Sequence, residues 1–113
     1  MFKKLLALFV GDGKPHVRRS PKWSAVRAAH LGVEPVCQAC RGREQLVVHH
    51  IAPVHVDPAR ELDPANLLTL CERPGRNCHL TFGHAWDWQT YVSDVRNILT
   101  EWRAVVSEAR ARR

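Results

Sequence analysis

The chain has 113 residues, 45% of them hydrophobic and 25% charged, which suits one modest folded domain. No apolar run approaches the length of a transmembrane helix, and this excludes a helical membrane span. The formal net charge of +6 is uneven: +7 over residues 1–43, −4 over 44–95 and +3 over 96–113.

Basic flanks around a mildly acidic middle suit a metal site between polyanion-binding arms, and equally a solvated basic surface. Residues 1–10 carry Lys3 and Lys4 ahead of a short apolar run. The run is at the lower limit for an export signal, and no small-residue cleavage site follows. Four cysteines in such a chain are expected as reduced thiols in a cytoplasmic protein, not as a disulfide scaffold.

In chain order, residues 1–10 read as a short helix or strand, and residues 11–21 as a loop holding Pro15, Pro21 and the pair Arg18-Arg19. Ser20 and Pro21 resemble the N-cap and first position of a helix over 21–32, with Trp23, Val26 and His30 at helical spacing and Gly32 as its stop. Cys37-x-x-Cys40 followed by Gly42 is a tight knuckle. Residues 45–51 are rich in β-formers and read as a strand. Residues 52–65 hold three prolines and form a loop, and residues 66–71 are a second short strand. Pro74-Gly75 places a turn in 72–77, and a helix is expected from Cys78 to about Trp88. Ser93-Asp94 can cap a last helix carrying Val95, Ile98, Leu99, Trp102, Val105, Val106 and Ala109 on one stripe. That stripe must bury against the domain or a partner, and packing within the chain is the preferred option. The organisation expected is an N-terminal segment and basic loop (1–20), a central domain (21–90) and a C-terminal amphipathic helix packed on it (91–113).

The cysteines come first in the chemistry. Cys37 and Cys40 have the spacing that lets two thiolates take adjacent corners of a tetrahedron. Cys71 and Cys78 are separated by six residues, wider than a second knuckle, but the Pro74-Gly75 turn can fold the excess outward. A structural zinc held by all four is the preferred reading. A redox pair at Cys37/Cys40 with two buried thiols is the alternative.

Five of the seven histidines fall in residues 49–84, the stretch that also holds Cys71 and Cys78. His49 and His50 end a predicted strand, so their rings point to opposite faces and do different work. One can bind metal while the other faces water or substrate. Burying both as core residues would be costly. Arg18, Arg19, Lys22 and Arg27 offer cations for a phosphate backbone. No element looks like a base-reading helix, so little sequence preference is expected.

Taken together, Cys37-x2-Cys40, Val48-His49-His50-Ile51-x-Pro53, Asn66-Leu67-Leu68-x-Leu70-Cys71 and Cys78-His79 resemble the HNH endonuclease signature over roughly residues 21–90. His50, Asn66 and His79 stand in the H, N and H places. The resemblance implies an α+β fold: a small ββα-metal domain with a four-cysteine zinc knuckle, here with flanking N- and C-terminal helices. It implies His50 as general base, His49 and His79 as ligands of a catalytic divalent cation (Mg²⁺, Mn²⁺, Ni²⁺ or Zn²⁺), and Asn66 as the tether that fixes the base. The cation would bind a phosphate oxygen and the leaving 3′ oxygen, giving 5′-phosphate and 3′-hydroxyl ends.

Some family members carry a second helix histidine four residues after the first. Here that place is Gly83, and His84 is five residues on. Residues i and i+5 diverge by about 140° on a regular helix. Either the helix starts late or His84 is not a ligand. His55 reads as a solvated loop residue, and His16 and His30 have no motif support.

The function expected is metal-dependent hydrolysis of DNA, with RNA as the other candidate substrate. The protein would act as a monomer or homodimer, without a membrane. The alternatives are a non-catalytic zinc-ribbon module that binds DNA or protein, and a redox protein.

Overall fold

The computed structural model describes residues 19–112 and the backbone of residues 9–10 and 14–15. Two strands of two residues, β1 (Phe9–Val10) and β2 (Lys14–Pro15), pair antiparallel. The rest of the expectation for residues 1–10, and Arg18, lie outside the described residues.

Helix α1 (Trp23–Val33) starts two residues later than expected. Ser20 does not cap it. Its Oγ accepts from Lys22 N (3.1 Å) and its carbonyl from Trp23 N (3.0 Å), so residues 20–22 form a turn ahead of the helix. Nor does Gly32 end it; the chain leaves the helix at Glu34 (φ −128°, ψ 73°).

Strands β3 (Leu46–His50) and β4 (Leu67–Cys71) form an antiparallel pair, with Leu46 opposite Cys71 and His50 opposite Leu67. The 16-residue connection is no plain loop. It contains two short 3₁₀ turns, Pro58–Arg60 and Pro64–Asn66, each opened by its proline. Fixed φ and a missing N–H suit proline to that first position.

β4 is buried along its whole length. Leu68, Leu70 and Cys71 join Cys37, Ala39, Ile51, Cys78, Val95 and Leu99 in one core. Helix α2 (Val95–Ala111) therefore docks by its first turns. Val95 and Leu99 are buried, while Ile98 and Val105 stay exposed. Trp102, 44% exposed, meets Phe82 with ring centroids 5.7 Å apart.

The expected helix over 78–88 is instead a single π turn, His79–Gly83. It stops because Ala85 (φ 51°) and Trp86 (φ 65°) turn left-handed, with Trp86 N–H returning to Leu80 O (2.9 Å). The architecture is a small α+β fold: a two-strand sheet, flanking helices and a cysteine cluster. Among the described residues, no helix is long and apolar enough to cross a membrane.

Candidate metal centres and the adjacent histidine

All four cysteine sulfurs lie within 4.8 Å of one another. Cys40 Sγ and Cys71 Sγ stand 3.8 Å apart, and sulfurs about 2.3 Å from a tetrahedral zinc stand roughly 3.8 Å apart. The wide Cys71–Cys78 gap closes as the turn predicts. Arg73 and Arg76 bridge antiparallel across Gly75, whose φ of 74° is one that glycine adopts at little cost. Gly42 N–H points at Cys40 Sγ (3.4 Å). The hydrogen bond from Cys78, against the effect of burial, holds the Cys37 thiol down to about 4. The same pairing, together with burial, pushes Cys78 up. The cluster thus favours a thiolate and resists further ionisation without a cation. Its donor set and spacing fit a structural zinc.

The second cluster is His49, His79 and His84. His49 comes from the end of β3, His79 from the start of the π turn and His84 from just past it. His79 Nε2 lies 3.0 Å from His49 Nδ1 and 3.2 Å from His84 Nε2. The π turn answers the spacing problem, because it bonds i to i+5 and so returns His84 to the side of His79.

The outer partners fix the tautomers. His79 Nδ1–H donates to Glu72 Oε2 (2.9 Å), and His84 Nδ1–H donates to Thr90 O (2.7 Å). In the neutral rings, both Nε2 atoms then carry lone pairs that face each other, which is unfavourable unless a cation lies between them. Nitrogens about 2.1 Å from one ion stand roughly 3.0–3.4 Å apart, so the spacing fits.

His49 presents Nδ1 to the cluster, and its other nitrogen faces away from His79 Nε2. His49 Nε2 is buried without a hydrogen-bond partner. And Gly83 leaves room for the His49 ring, where a Cβ would meet Cε1 at 3.0 Å. Burial, and then the neighbouring His79 and His84, lower the His49 ring to about 2, which keeps it a neutral donor.

His50 is turned away from this cluster. Its Nε2–H donates to Glu61 O (2.9 Å), which leaves Nδ1 bare, and the Arg19 guanidinium donates to Nδ1 at 3.4 Å. Trp23 covers the ring, with centroids 4.5 Å apart. Burial is the main cause lowering the His50 ring, aided by Arg19 and opposed by the Glu61 carbonyl. Glu61 is itself buried and its carboxylate accepts from Ser20 N (2.9 Å), tying the Arg19 segment to the site.

Asn66 is fully buried and spans the β3–β4 connection. Its Oδ1 accepts from Ala52 N (2.8 Å), and its Nδ2 donates to Ala52 O (3.0 Å) and Arg60 O (3.1 Å).

The structure thus brings together the four cysteines, and separately His49, His79 and His84. It sets Arg19 against His50. Lys22 and Arg27 lie exposed, the first just ahead of α1 and the second on it. Glu72, Glu61 and Gly83 were not singled out from sequence. Only Gly83 left a signal there, as a glycine within a helical pattern, which marks a close approach. Trp88 also packs against the cluster, 5.0 Å from both His79 and His84 by ring centroids.

Searches of curated proteins and of solved structures return no match to the chain. A family model described as HNH endonuclease matches residues 37–84, from the first cysteine to the last of the three clustered histidines, and over that stretch the chain is similar to the HNH endonucleases.

Proposed function

We propose that this protein is a metal-dependent endonuclease that hydrolyses DNA phosphodiester bonds with low sequence specificity. The observation that carries the reading is the pairing of two adjacent histidines in opposite settings: His49 within a three-imidazole cluster, and His50 outside it with an unprotonated Nδ1 beside Arg19. The matched family supports a nuclease or nucleic-acid-binding role.

In this reading His49, His79 and His84 hold a divalent cation, and Cys37, Cys40, Cys71 and Cys78 a structural zinc. When bound, the catalytic cation supplies charge stabilisation to a phosphate oxygen and to the departing oxygen. His50 takes the proton of the attacking water at Nδ1, because Nε2 is already committed to Glu61 O. Its lowered affinity for a proton keeps that nitrogen free near neutrality. Asn66 positions the connection that carries Glu61, and so acts on the base indirectly. Arg19 lies where it can hold the scissile phosphate beside His50, with Lys22 and Arg27 on flanking backbone. Residues 21–90 form the nuclease unit in this scheme, with 1–20 and 91–113 as flanking arms.

The test is cleavage of plasmid DNA by parent and His50→Ala in Mg²⁺, Mn²⁺ or Ni²⁺. The variant should be slower by about 10²-fold or more at unchanged zinc content and fold. Equal rates would remove the base, and no cleavage by the parent in any of these metals would leave a zinc-stapled binding module.

A further inference from the structure

A second cationic surface is lined by none of the clustered histidines. Between the cysteine cluster and α2 runs an open groove of about 510 Å³. Phe82 and Trp102 form its aromatic part, and Arg41, Arg76, Arg103 and Arg110 line it without any acidic residue.

The fold builds it from two sides. The two turns of the cysteine cluster put Arg41 and Arg76 on one wall, Arg41 at a left-handed φ of 66° next to Cys40. On the other wall, Trp102, Val106 and Arg110 recur at four-residue spacing along one face of α2. Arg103 is committed, donating to Gln38 O at 2.7 Å. Arg41, Arg76 and Arg110 are exposed and make no ion pair among the described residues.

We propose that this groove is a second nucleic-acid contact, which takes a single-stranded segment with one base on Trp102 and flanking phosphates on Arg41, Arg76 and Arg110. Three unpaired guanidiniums around an exposed indole match a phosphodiester chain carrying unpaired bases. A duplex hides its base faces and would use only the arginines. An acidic peptide would likewise leave the indole unused. The inference rests on the nucleic-acid reading of the domain, though not on cleavage.

The test uses the full zinc-loaded chain in a His50→Ala background and a fluorescein-labelled single-stranded 12-mer, with affinity read by anisotropy across salt concentrations. Arg41→Gln/Arg76→Gln/Arg110→Gln should weaken binding tenfold or more and lower the slope of log K against log salt by about 2. Trp102→Ala should weaken it about tenfold with the slope unchanged. Thermal unfolding and zinc content must match the background protein for either loss to count in favour.

Parent-like binding by the triple variant would overturn the inference, as would an equal loss from Arg43→Gln/Arg60→Gln/Arg112→Gln. Equally tight binding of a duplex, insensitive to Trp102→Ala, would overturn the single-strand assignment. Displacement of the strand by polyglutamate at matched charge would assign the groove to an acidic protein partner instead. Loss of binding in the groove variants of a protein whose parent form cuts nothing would uphold the groove and sink the hydrolytic reading. Cleavage by the parent with undiminished binding in the groove variants would do the reverse.

Discussion

The imidazole of His49 lies against the α-carbon of Gly83, so closely that a Cβ there would stand 3.0 Å from Cε1 and 3.1 Å from Nε2. His49 is 3% exposed and fixed at the end of a paired strand, so its ring has little freedom to retreat. Gly83→Ala should therefore displace the ring from His79 and His84 without touching any candidate ligand. We expect Mn²⁺ or Ni²⁺ affinity at the histidine site to fall by about tenfold or more, in the range seen for lost outer partners. Zinc retained by the cysteines should not change. Calorimetric titration measures the first and elemental analysis the second; unchanged Mn²⁺ affinity would mean that the close approach is incidental.

Glu72 acts on the same centre from the opposite side. Its carboxylate accepts the Nδ1–H of His79 at 2.9 Å, which orients the ring and leaves Nε2 toward its neighbours. Glu72→Ala should weaken divalent binding by about 10–100-fold. Glu72→Gln keeps an acceptor oxygen without the charge and should recover part of the loss. A variant that binds metal as tightly as the parent would make the pairing a surface contact only. The Glu72 side chain is 40% exposed, so little effect on stability is expected.

The cysteine cluster should govern folding, not catalysis alone. Cys37, Cys71 and Cys78 belong to the core and pack with Leu68, Leu70, Val95 and Leu99. Without a cation that core would hold four close sulfurs that cannot all ionise. A strong chelator should cause cooperative loss of near-UV dichroism, and Cys71→Ser should fail to reach the parent melting temperature at any zinc concentration. Structural zinc sites contribute on the order of 10 kcal/mol to small domains, so the effect should be large. A chelated chain that melts like the parent would show that the apolar core suffices.

Much of this was legible in the sequence. Strands β3 and β4 fall within a residue of their expected bounds, because aliphatic runs fenced by proline and glycine leave few alternatives. The convergence of four cysteines followed from spacing plus one turn. The π turn was hidden, since local preference favours an α-helix through Trp88 and only the left-handed Ala85–Trp86 pair stops it. Its consequence, His84 beside His79, was therefore left open by the sequence, which offered His84 as a ligand only if the helix started late. Ser20 misled for a related reason: a serine before proline can cap a helix or close a turn, and here it does the second. Glu61 and Glu72 matter through contacts between separate elements, which no local pattern encodes.

One such long-range contact sets a pH dependence. Glu34 ends α1 and reaches β4 and α2 together. Its Oε1 accepts from Thr69 N (2.8 Å), its carbonyl accepts from Thr69 Oγ1 (2.8 Å), and Arg96 donates to both carboxylate oxygens (3.1 and 3.3 Å). Burial alone would raise this carboxyl; the Thr69 N–H, Arg96 and His30 outweigh it, and the group ends below its ordinary value of 4.5. A carboxyl lowered on folding binds protons more readily in the unfolded chain. Its contribution is therefore complete above pH 4.5 and disappears as the pH falls through the lower folded value. Glu34→Gln keeps an acceptor for Thr69 but loses the charge. It should cost about 1–2 kcal/mol at pH 7, because the Arg96 end is partly solvated and screened. Urea unfolding of parent and variant should show that difference constant from pH 8 to about pH 5.5 and shrinking below pH 4.5. The difference is the quantity to follow, because acid returns protons to the cysteine cluster of both proteins alike, whatever metal it holds. A gap that widened in acid would mean that Glu34 is protonated in the native state and that the three elements are joined by neutral hydrogen bonds.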